Sequence, residues 1–244
     1  MLKRLTVLGV GFDTLSYSEI QEFLLIESNR RGYVCFPDLY NILRARNDSS
    51  IKKIFNESTL TLPDGFPAKV ILQFKGRSRT QNISGYWLCK LLLETECSHY
   101  FYGSSESTLT EMRRRFQMEY PKAKILGYSS PPFLPESEIV NSVELGNEID
   151  AIKELKPNFV WIGISSPKQD LLMSRFSSQN EGTIFLGVGA VFDYFSGQAY
   201  MGPEWLKKIG LRWLYQFLRD PKRYGGRLWY IFREAIKLLF KQHK

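Results

Sequence analysis

Short apolar runs alternate with helix-length amphipathic segments through most of this 244-residue chain, and that alternation constrains the fold most. Strands are expected at Tyr33–Cys35, Thr59–Leu62, His99–Tyr102, Lys124–Leu126, Asn158–Ile162 and Thr183–Leu186. Helices are expected near 39–47, 84–95, 107–119, 138–155 and 168–177. Another is expected over 16–30, opening at Ser16 or Ser18 close to Glu19 and Glu22. Strands joined by helices pair in parallel, because such a crossover needs a dozen or more residues and packs on a sheet face. The expected fold is therefore α/β. It is a Rossmann-like, largely parallel sheet with helices on both faces, followed by a C-terminal basic amphipathic helical appendage.

Four of the runs lead into glycine: Gly103-Ser104-Ser105, Gly127-Tyr128-Ser129-Ser130, Gly163-Ile164-Ser165-Ser166 and Gly187-Val188-Gly189. The ligand crevice of an open α/β sheet lies at the carboxyl ends of its strands. Glycine there admits close backbone approach, and Ser hydroxyls with helix N-terminal amides can hold phosphate. One such segment is an ordinary turn. Four at one end of one sheet point to a nucleotide or nucleotide-sugar crevice. Neither GxGxxG nor P-loop spacing occurs, which argues against ordinary dinucleotide or NTPase chemistry.

Charge divides the chain at about residue 200. The 33 Lys+Arg and 25 Asp+Glu give a net +8, and residues 201–244 hold 11 basic and 3 acidic residues, so the whole excess lies there. The expected organisation is a neutral body (1–200) and a basic helical appendage (201–244). The appendage also carries Trp205, Trp213 and Trp229 among other aromatics. From 227 to 244, Leu228, Ile231, Phe232, Ala235 and Leu239 share one helix face beside a stripe of Arg233, Lys237, Lys241 and Lys244. That mixture suits an interfacial membrane helix better than the basic face of a nucleic-acid binder. A terminal helix docked on the core has the same pattern. Nothing resembles a signal peptide or an 18-residue apolar span, and the cysteines (Cys35, Cys89, Cys97) form no metal or disulfide spacing. The expectation is a reduced cytoplasmic body, peripheral on the membrane, with no cofactor and no metal.

With only His99 and His243 in the chain, a general base in this body should be a carboxylate. Asp64, in Pro63-Asp64-Gly65 after a strand, is the candidate, although Asp-Gly is also a turn dipeptide. Lys168 and Gln169 open a helix after a strand; Lys168 could pair with phosphate and Gln169 read a hydroxyl or base edge, or both could simply begin a capped helix. Gly187 and Gly189 with Asp193 form another substrate-binding candidate. No Asp-x-Asp pair exists to hold a metal on a diphosphate, so cationic side chains and helix N-termini would have to neutralise leaving-group charge. Arg219, Arg223 and Arg227 recur every four residues and could supply it, or could line a solvated face.

Taken together, these blocks resemble the WecG/TagA/CpsF glycosyltransferases. The resemblance runs through Pro63-Asp64-Gly65, Ser84-Gly85, Tyr102-Gly103, Tyr120-Pro121, Ser166-Pro167-Lys168-Gln169, Gly187 to Asp193, Gly197, Pro203-Glu204-Trp205, Gly210-Leu211, Trp213-Leu214, Pro221, Arg223 and Arg227. It implies a metal-independent, inverting enzyme of cell-surface polysaccharide or teichoic acid synthesis. Such an enzyme moves a sugar from a UDP-sugar donor to an undecaprenyl-diphosphate-linked saccharide acceptor at the inner membrane face. Asp64 would be the base, and Arg223 and Arg227 would reach the active site from the appendage.

The chain departs from the family pattern at four places. Phe36-Pro37-Asp38 replaces Thr-Pro-Asn, with Asp38 kept as a substrate-binding candidate. Asn82 replaces an Arg for which Arg77 or Arg79 could substitute, Arg212 replaces a Glu, and Gln216 an Arg. These departures leave the donor sugar open. A homo-oligomer is compatible with the reading; a nucleic-acid partner is not part of it. The rival classes are a non-catalytic membrane- or RNA-binding adaptor on a degenerate body and, more weakly, a Rossmann-like methyltransferase. The N-terminal third has no glycine-rich loop for the latter.

Overall fold

The computed structural model describes residues 4–74, 80–139, 141–177, 182–203, 205–206 and 209–241. It opens with an antiparallel hairpin, β1 (Leu5–Val7) and β2 (Val10–Phe12), whose turn residues Leu8 and Gly9 both take positive φ. That is the backbone a two-residue hairpin loop demands. α1 (Tyr17–Leu25) starts with a capping box: the Ser16 hydroxyl accepts from the Glu19 amide, and the Glu19 carboxylate accepts from the Ser16 amide. It ends well short of residue 30, at a single 3-10 turn over Glu27–Asn29.

The sheet and its crossovers follow. In chain order they are β3 (Tyr33–Cys35), α2 (Leu39–Asn47), α3 (Ser49–Glu57), β4 (Leu60–Thr61), α4 (Phe66–Phe74) and α5 (Gly85–Leu93). Then come β5 (Ser98–Gly103), α6 (Glu106–Glu119), β6 (Lys124–Ser129), α7 (Glu136–Ile139) and α8 (Val143–Glu154). β7 (Phe159–Gly163), α9 (Lys168–Phe176), β8 (Ile184–Gly187) and α10 (Val191–Phe195) complete the body. The six strands β3–β8 form one sheet, ordered β4-β3-β8-β7-β5-β6, and each ladder is parallel.

Alternation along the strands splits the core into two layers. Tyr33 and Cys35 oppose Val34 on β3, and Val160 and Ile162 oppose Phe159 and Trp161 on β7. One layer is closed by Ile51 and Phe55 of α3, Ile149 and Ile152 of α8, and Leu172 and Met173 of α9. The other is closed by α1, α5, α6 and α10, through Leu24, Leu92, Phe116 and Phe192 among others. A parallel sheet needs both faces covered in this way. Each large apolar side chain so buried contributes roughly 1.5–3 kcal/mol. A surface ion pair contributes only about 0–1 kcal/mol, so the two layers hold the body together.

Two expected elements are corrected. The helix over 138–155 is interrupted: α7 and α8 are separate, and α8 has its own start at Ser142, whose hydroxyl accepts from the Leu145 amide. Gly127 does not end a strand but lies within β6, where a side chain would strike the Tyr100 ring.

Two further helices, α11 (Arg212–Arg219) and α12 (Pro221–Lys241), form the C-terminal segment. α12 begins at Pro221, before the amphipathic pattern at 227. It docks on α2 through its polar side, not through the Leu228–Phe232 face. Asn47 Nδ2 donates to the Glu234 carboxylate (3.0 Å) and to the Tyr230 hydroxyl (3.2 Å), and the Tyr40 and Tyr230 rings meet edge to face. Glu234 is only 2% exposed, roofed by Lys237 at 2.7 Å and Arg233 at 3.3 Å. The Lys237 hydrogen bond foremost, then that of Asn47, lowers its carboxyl pKa to about 2. Trp229, Phe232 and Phe240 are left exposed, and Leu239's side chain and residues 242–244 lie outside the described structure.

One carboxylate is buried beneath the sheet edge. Asp170, in the first turn of α9, is 2% exposed and bonded to the Ser166 hydroxyl and the Cys35 thiol. Burial foremost pushes its pKa up to about 6.

Glu234 and Asp170 each generate a prediction. Glu234→Ala removes the acceptor that Asn47 and Lys237 share, leaving Asn47 its longer bond to the Tyr230 hydroxyl. Amide exchange over 221–241 should then speed up about tenfold or more while β7 and β8 keep their protection; unchanged tail protection would show that Glu234 does not hold the helix. Asp170 has the opposite sign from a paired carboxylate. Its folded pKa is raised, so its contribution is fully present below the unfolded value near 3.9 and is lost as pH rises to about 6. Asp170→Asn removes that slope. Urea unfolding from pH 4 to 7 should shift the stability difference in the variant's favour, on the order of 3 kcal/mol. A pH-independent difference would refute the raised pKa.

Candidate active site

Parallel pairing brings the carboxyl ends of all six strands to one edge. Cys35 of β3 pairs with Thr61 of β4 on one side and with Gly187 of β8 on the other. The loops carrying Asp38, Asp64 and Gly187–Gly189 therefore leave the sheet side by side. Lys168 and Gln169 follow β7, the next strand along.

Asp64 is half-buried at the end of the edge strand. The next residue, Gly65, has φ +84° and donates its amide to Asn82 Oδ1 at 2.7 Å, which fixes the turn. Tyr17 stands close by. Its hydroxyl accepts from the Ser84 amide at 2.8 Å and donates to the Asn82 carbonyl at 3.4 Å. Burial foremost pushes the phenol pKa up to about 12, against the Ser84 hydrogen bond, and the Asp64 charge adds to the rise. Tyr17 thus stays protonated and is near enough to feel the Asp64 carboxylate. Asn82, where the resemblance leads one to expect arginine, shapes the Asp64 turn.

Asp38 caps α2, accepting from the Asn41 backbone amide at 3.0 Å and from its Nδ2 at 2.8 Å. Arg227 of α12 approaches the other carboxylate oxygen at 3.8 Å and lies over the Tyr40 ring. The Ser166 hydroxyl bridges Asn41 Oδ1 and the Asp170 carboxylate. A continuous polar chain therefore runs Arg227–Asp38–Asn41–Ser166–Asp170 across the edge. Asn41 and Asp170 are not among the candidates from the sequence, and Ser166 is expected there only as a hydroxyl for phosphate. The available signal was helical spacing: Gln169 and Asp170 share the buried face of α9 with Leu172, Met173 and Phe176.

Gln169 is buried, with Nε2 donating to the Gly187 carbonyl and Oε1 accepting from the Gly189 amide, both at 2.9 Å. The side chain braces the glycine loop. Gly187 is small because Met173 and Gln169 fill the space a side chain would need, whereas Gly189 takes φ +59°. The amides of Val188 and Gly189 are already given to Ile162 and Gln169, so neither is left to cradle a phosphate. Lys168 donates to the Leu134 carbonyl and lies 4.1 Å from the Phe133 ring centroid. Asp193 is half-buried in the first turn of α10; its carbonyl accepts from Ala199 and from the Ser196 hydroxyl.

The C-terminal segment meets this edge again at Tyr194. Gln216 Nε2 donates to the Tyr194 hydroxyl at 2.8 Å, and the Arg212 guanidinium lies 5.4 Å from the ring centroid. The two departures in that segment thus converge on one side chain. Arg223 lies on α12, but its side chain, like Arg77 and Arg79, is outside the described residues.

The model of the glycosyl transferase WecG/TagA/CpsF family matches residues 5–244. Among individual proteins, the chain is 22% identical over 219 residues to an N-acetylglucosaminyldiphosphoundecaprenol N-acetyl-beta-D-mannosaminyltransferase of Bacillus spizizenii, covering 88% of this chain and 82% of that one. A protein of the same name from Bacillus subtilis is 23% identical, over 74% of this chain and 68% of its own length. One from Staphylococcus aureus is 20% identical, over 91% and 87%. With the family model spanning nearly its whole length, this chain belongs to the WecG/TagA/CpsF family of glycosyl transferases.

Proposed function

We propose that the protein transfers a sugar from a UDP-sugar to an undecaprenyl-diphosphate-linked saccharide, with inversion, at the inner face of the membrane. The relatives' names supply the class of acceptor and one donor, N-acetylmannosamine. The observation that carries the reading is the reach of α12 across the sheet edge, which sets Arg227 against Asp38 in the loop beside Asp64. That arrangement supports a carboxylate base and a cation acting at one sheet edge.

In the proposed reaction, Asp64 takes the proton from an acceptor hydroxyl as its oxygen attacks the anomeric carbon. The bond from that carbon to the UDP oxygen breaks on the opposite face, and its electron pair leaves with the diphosphate. Arg227 and Arg223 neutralise the charge that develops there. The glycine loop's two internally bonded amides cannot do this, which throws more of the work onto guanidinium groups. Gln169 and Asp193 are assigned to shaping the donor side, Gln169 by bracing Gly187 and Gly189, and Lys168 to the loop that carries Phe133.

The segment 201–244 is read as an appendage with two tasks. Its docked side serves the crevice. Its outer side, with Trp213, Trp229, Phe232 and Phe240 exposed among basic residues, lies in the lipid interface. No described helix is long and apolar enough to cross a membrane.

Two measurements test this. Asp64→Asn should lower kcat by about 10²–10⁴ with UDP affinity unchanged; wild-type turnover by a folded variant would remove the base assignment. Arg227→Ala should lower kcat on a water-soluble acceptor by about 10²–10³ while vesicle binding is retained. Loss of vesicle binding alone would mean that Arg227 serves the membrane and not the crevice.

A further inference from the structure

Asp170 has no task in the reaction just described, yet it ends the polar chain that begins at Arg227. It is 2% exposed and touches the Cys35 thiol and the Ser166 hydroxyl. We propose that Asp170 is a positioning residue: as a neutral acid it orders Ser166 and Asn41, and through them it sets the Asp38 carboxylate toward Arg227. The inference rests on the proposed transferase reading, in which Arg227 meets the leaving diphosphate.

Counting protons along the chain gives its direction. Asp38 Oδ1 accepts from the Asn41 backbone amide and from Asn41 Nδ2. That turns Asn41 Oδ1 to the Ser166 hydroxyl, 3.0 Å away. Asn41 is 6% exposed, and among the described residues Ser166 is the one donor to its side-chain oxygen. The same Ser166 oxygen also contacts Asp170 Oδ2. A hydroxyl carries one proton, and an ionised carboxylate only accepts. Ser166 can therefore serve Asn41 and Asp170 together only when Asp170 holds a proton and donates it to the Ser166 oxygen. The bonds then all run one way, from Asp170 through Ser166 and Asn41 to Asp38. Ionised Asp170 would take the Ser166 proton and leave the buried Asn41 oxygen without a donor, an arrangement that burial makes costly.

The surroundings favour the neutral acid. Burial foremost, with the Asp38 charge adding to it, raises the Asp170 pKa to about 6 against the hydrogen bonds it receives. Tyr33 and Cys35 of β3 also bear on it; burial foremost raises both, so they stay protonated, and Arg4 opposes that rise in each. The other charged groups around α9 are engaged elsewhere. Lys53 pairs with Glu57 on α3, and Glu136 of α7 pairs with Arg44. Lys52 lies along Gly9, Glu138 is exposed, Lys168 donates to the Leu134 carbonyl, and Arg175 lies over the Phe176 ring.

The consequence for the reaction lies in the second oxygen of Asp38. With Oδ1 held twice by Asn41, Oδ2 faces the Arg227 guanidinium at 3.8 Å. A diphosphate can then draw the arginine away from a carboxylate that stays in place. Once Asp170 ionises, the Asn41 side chain is free to turn and Asp38 keeps only the backbone amide. A carboxylate so loosened follows Arg227 and competes with the arriving anion. The ordering is present below about pH 6 and is lost as pH rises through that value.

The test measures UDP affinity by calorimetry for the full-length protein and for Asp170→Asn between pH 5 and 8. The variant's amide donates to Ser166 at every pH, and the titration of UDP itself is common to both proteins. The ratio of the two affinities should be near one at pH 5 and about three- to tenfold in the variant's favour at pH 8. Adding Ser166→Ala to both proteins should flatten it. The Asn41 side-chain amide signals of nitrogen-15-labelled protein, assigned by their loss in Asn41→Ser, should move over the same range in the wild type and stay fixed in Asp170→Asn. A ratio independent of pH, or wild-type Asn41 signals that ignore pH, overturns the positioning role; a purely structural residue would change thermal stability and leave both readouts flat. The expected ratio in a protein that transfers no sugar would overturn the reaction and leave the positioning role standing.

Discussion

The pairing of β3 with β8 is the contact on which the molecule depends. It joins strands at residues 33–35 and 184–187 through three residue pairs, Tyr33 with Phe185, Val34 with Leu186 and Cys35 with Gly187. β3 and β4 carry Asp38 and Asp64. The other four strands carry the glycine, lysine and glutamine loops. Without this ladder the chain would have two half-sheets and no common edge. The paired residues Tyr33, Val34, Cys35, Phe185 and Leu186 are buried on both faces of the sheet, so a slip of one residue would exchange the two core layers. Register and packing enforce each other, and the crevice inherits its geometry from both.

Much of this was legible because the parallel strands are short, largely apolar and separated by periodic helices. The α/β class and the strand positions follow from that pattern, and so does the placement of Asp64 at a strand end. The hairpin at β1–β2 is harder to see: its turn, Leu8-Gly9, puts a leucine at positive φ where Asn or Asp would announce it. α3 follows α2 after one residue, Asp48, whose carboxylate accepts from the Ser50 and Ile51 amides and restarts the helix. Such a restart leaves little trace in apolar periodicity. The roles of Gln169 and Asp170 were obscured because polar residues at a helix start look like caps. Only their shared face with Leu172 and Met173 marks them as interior.

The tail shows the same limit from the other direction. Apolar spacing from Leu228 to Leu239 suggests the face by which α12 would pack. The helix instead docks by Tyr230 and Glu234, because Asn47 offers a donor that a buried carboxylate needs and Lys237 supplies the opposite charge. A buried acid without those partners would cost several kcal/mol, so the polar contact sets the rotation of the helix. The aromatic residues are turned outward as a consequence, and the concentration of basic charge in 201–244 acquires two orientations, one toward the sheet edge and one away from it.

The ion pair that reaches the crevice is weak in a way that suits exchange. Asp38 and Arg227 are 3.8 Å apart and each 37% exposed, so the pair contributes about 0–1 kcal/mol. It cannot be what docks α12; Glu234 does that about two turns further along the helix. In the proposed reaction the pair would hold a guanidinium at the sheet edge at little cost until an anion binds. A diphosphate carries more charge than one carboxylate and takes guanidinium groups in bidentate fashion, so it can draw Arg227 off Asp38. The Asp38 charge also helps raise the pKa of Asp170, after burial. An asparagine at position 38 would lack both effects. In the proposed reaction the carboxylate at this position would link the arrival of a leaving-group anion to the charge balance of the buried chain beneath the sheet edge.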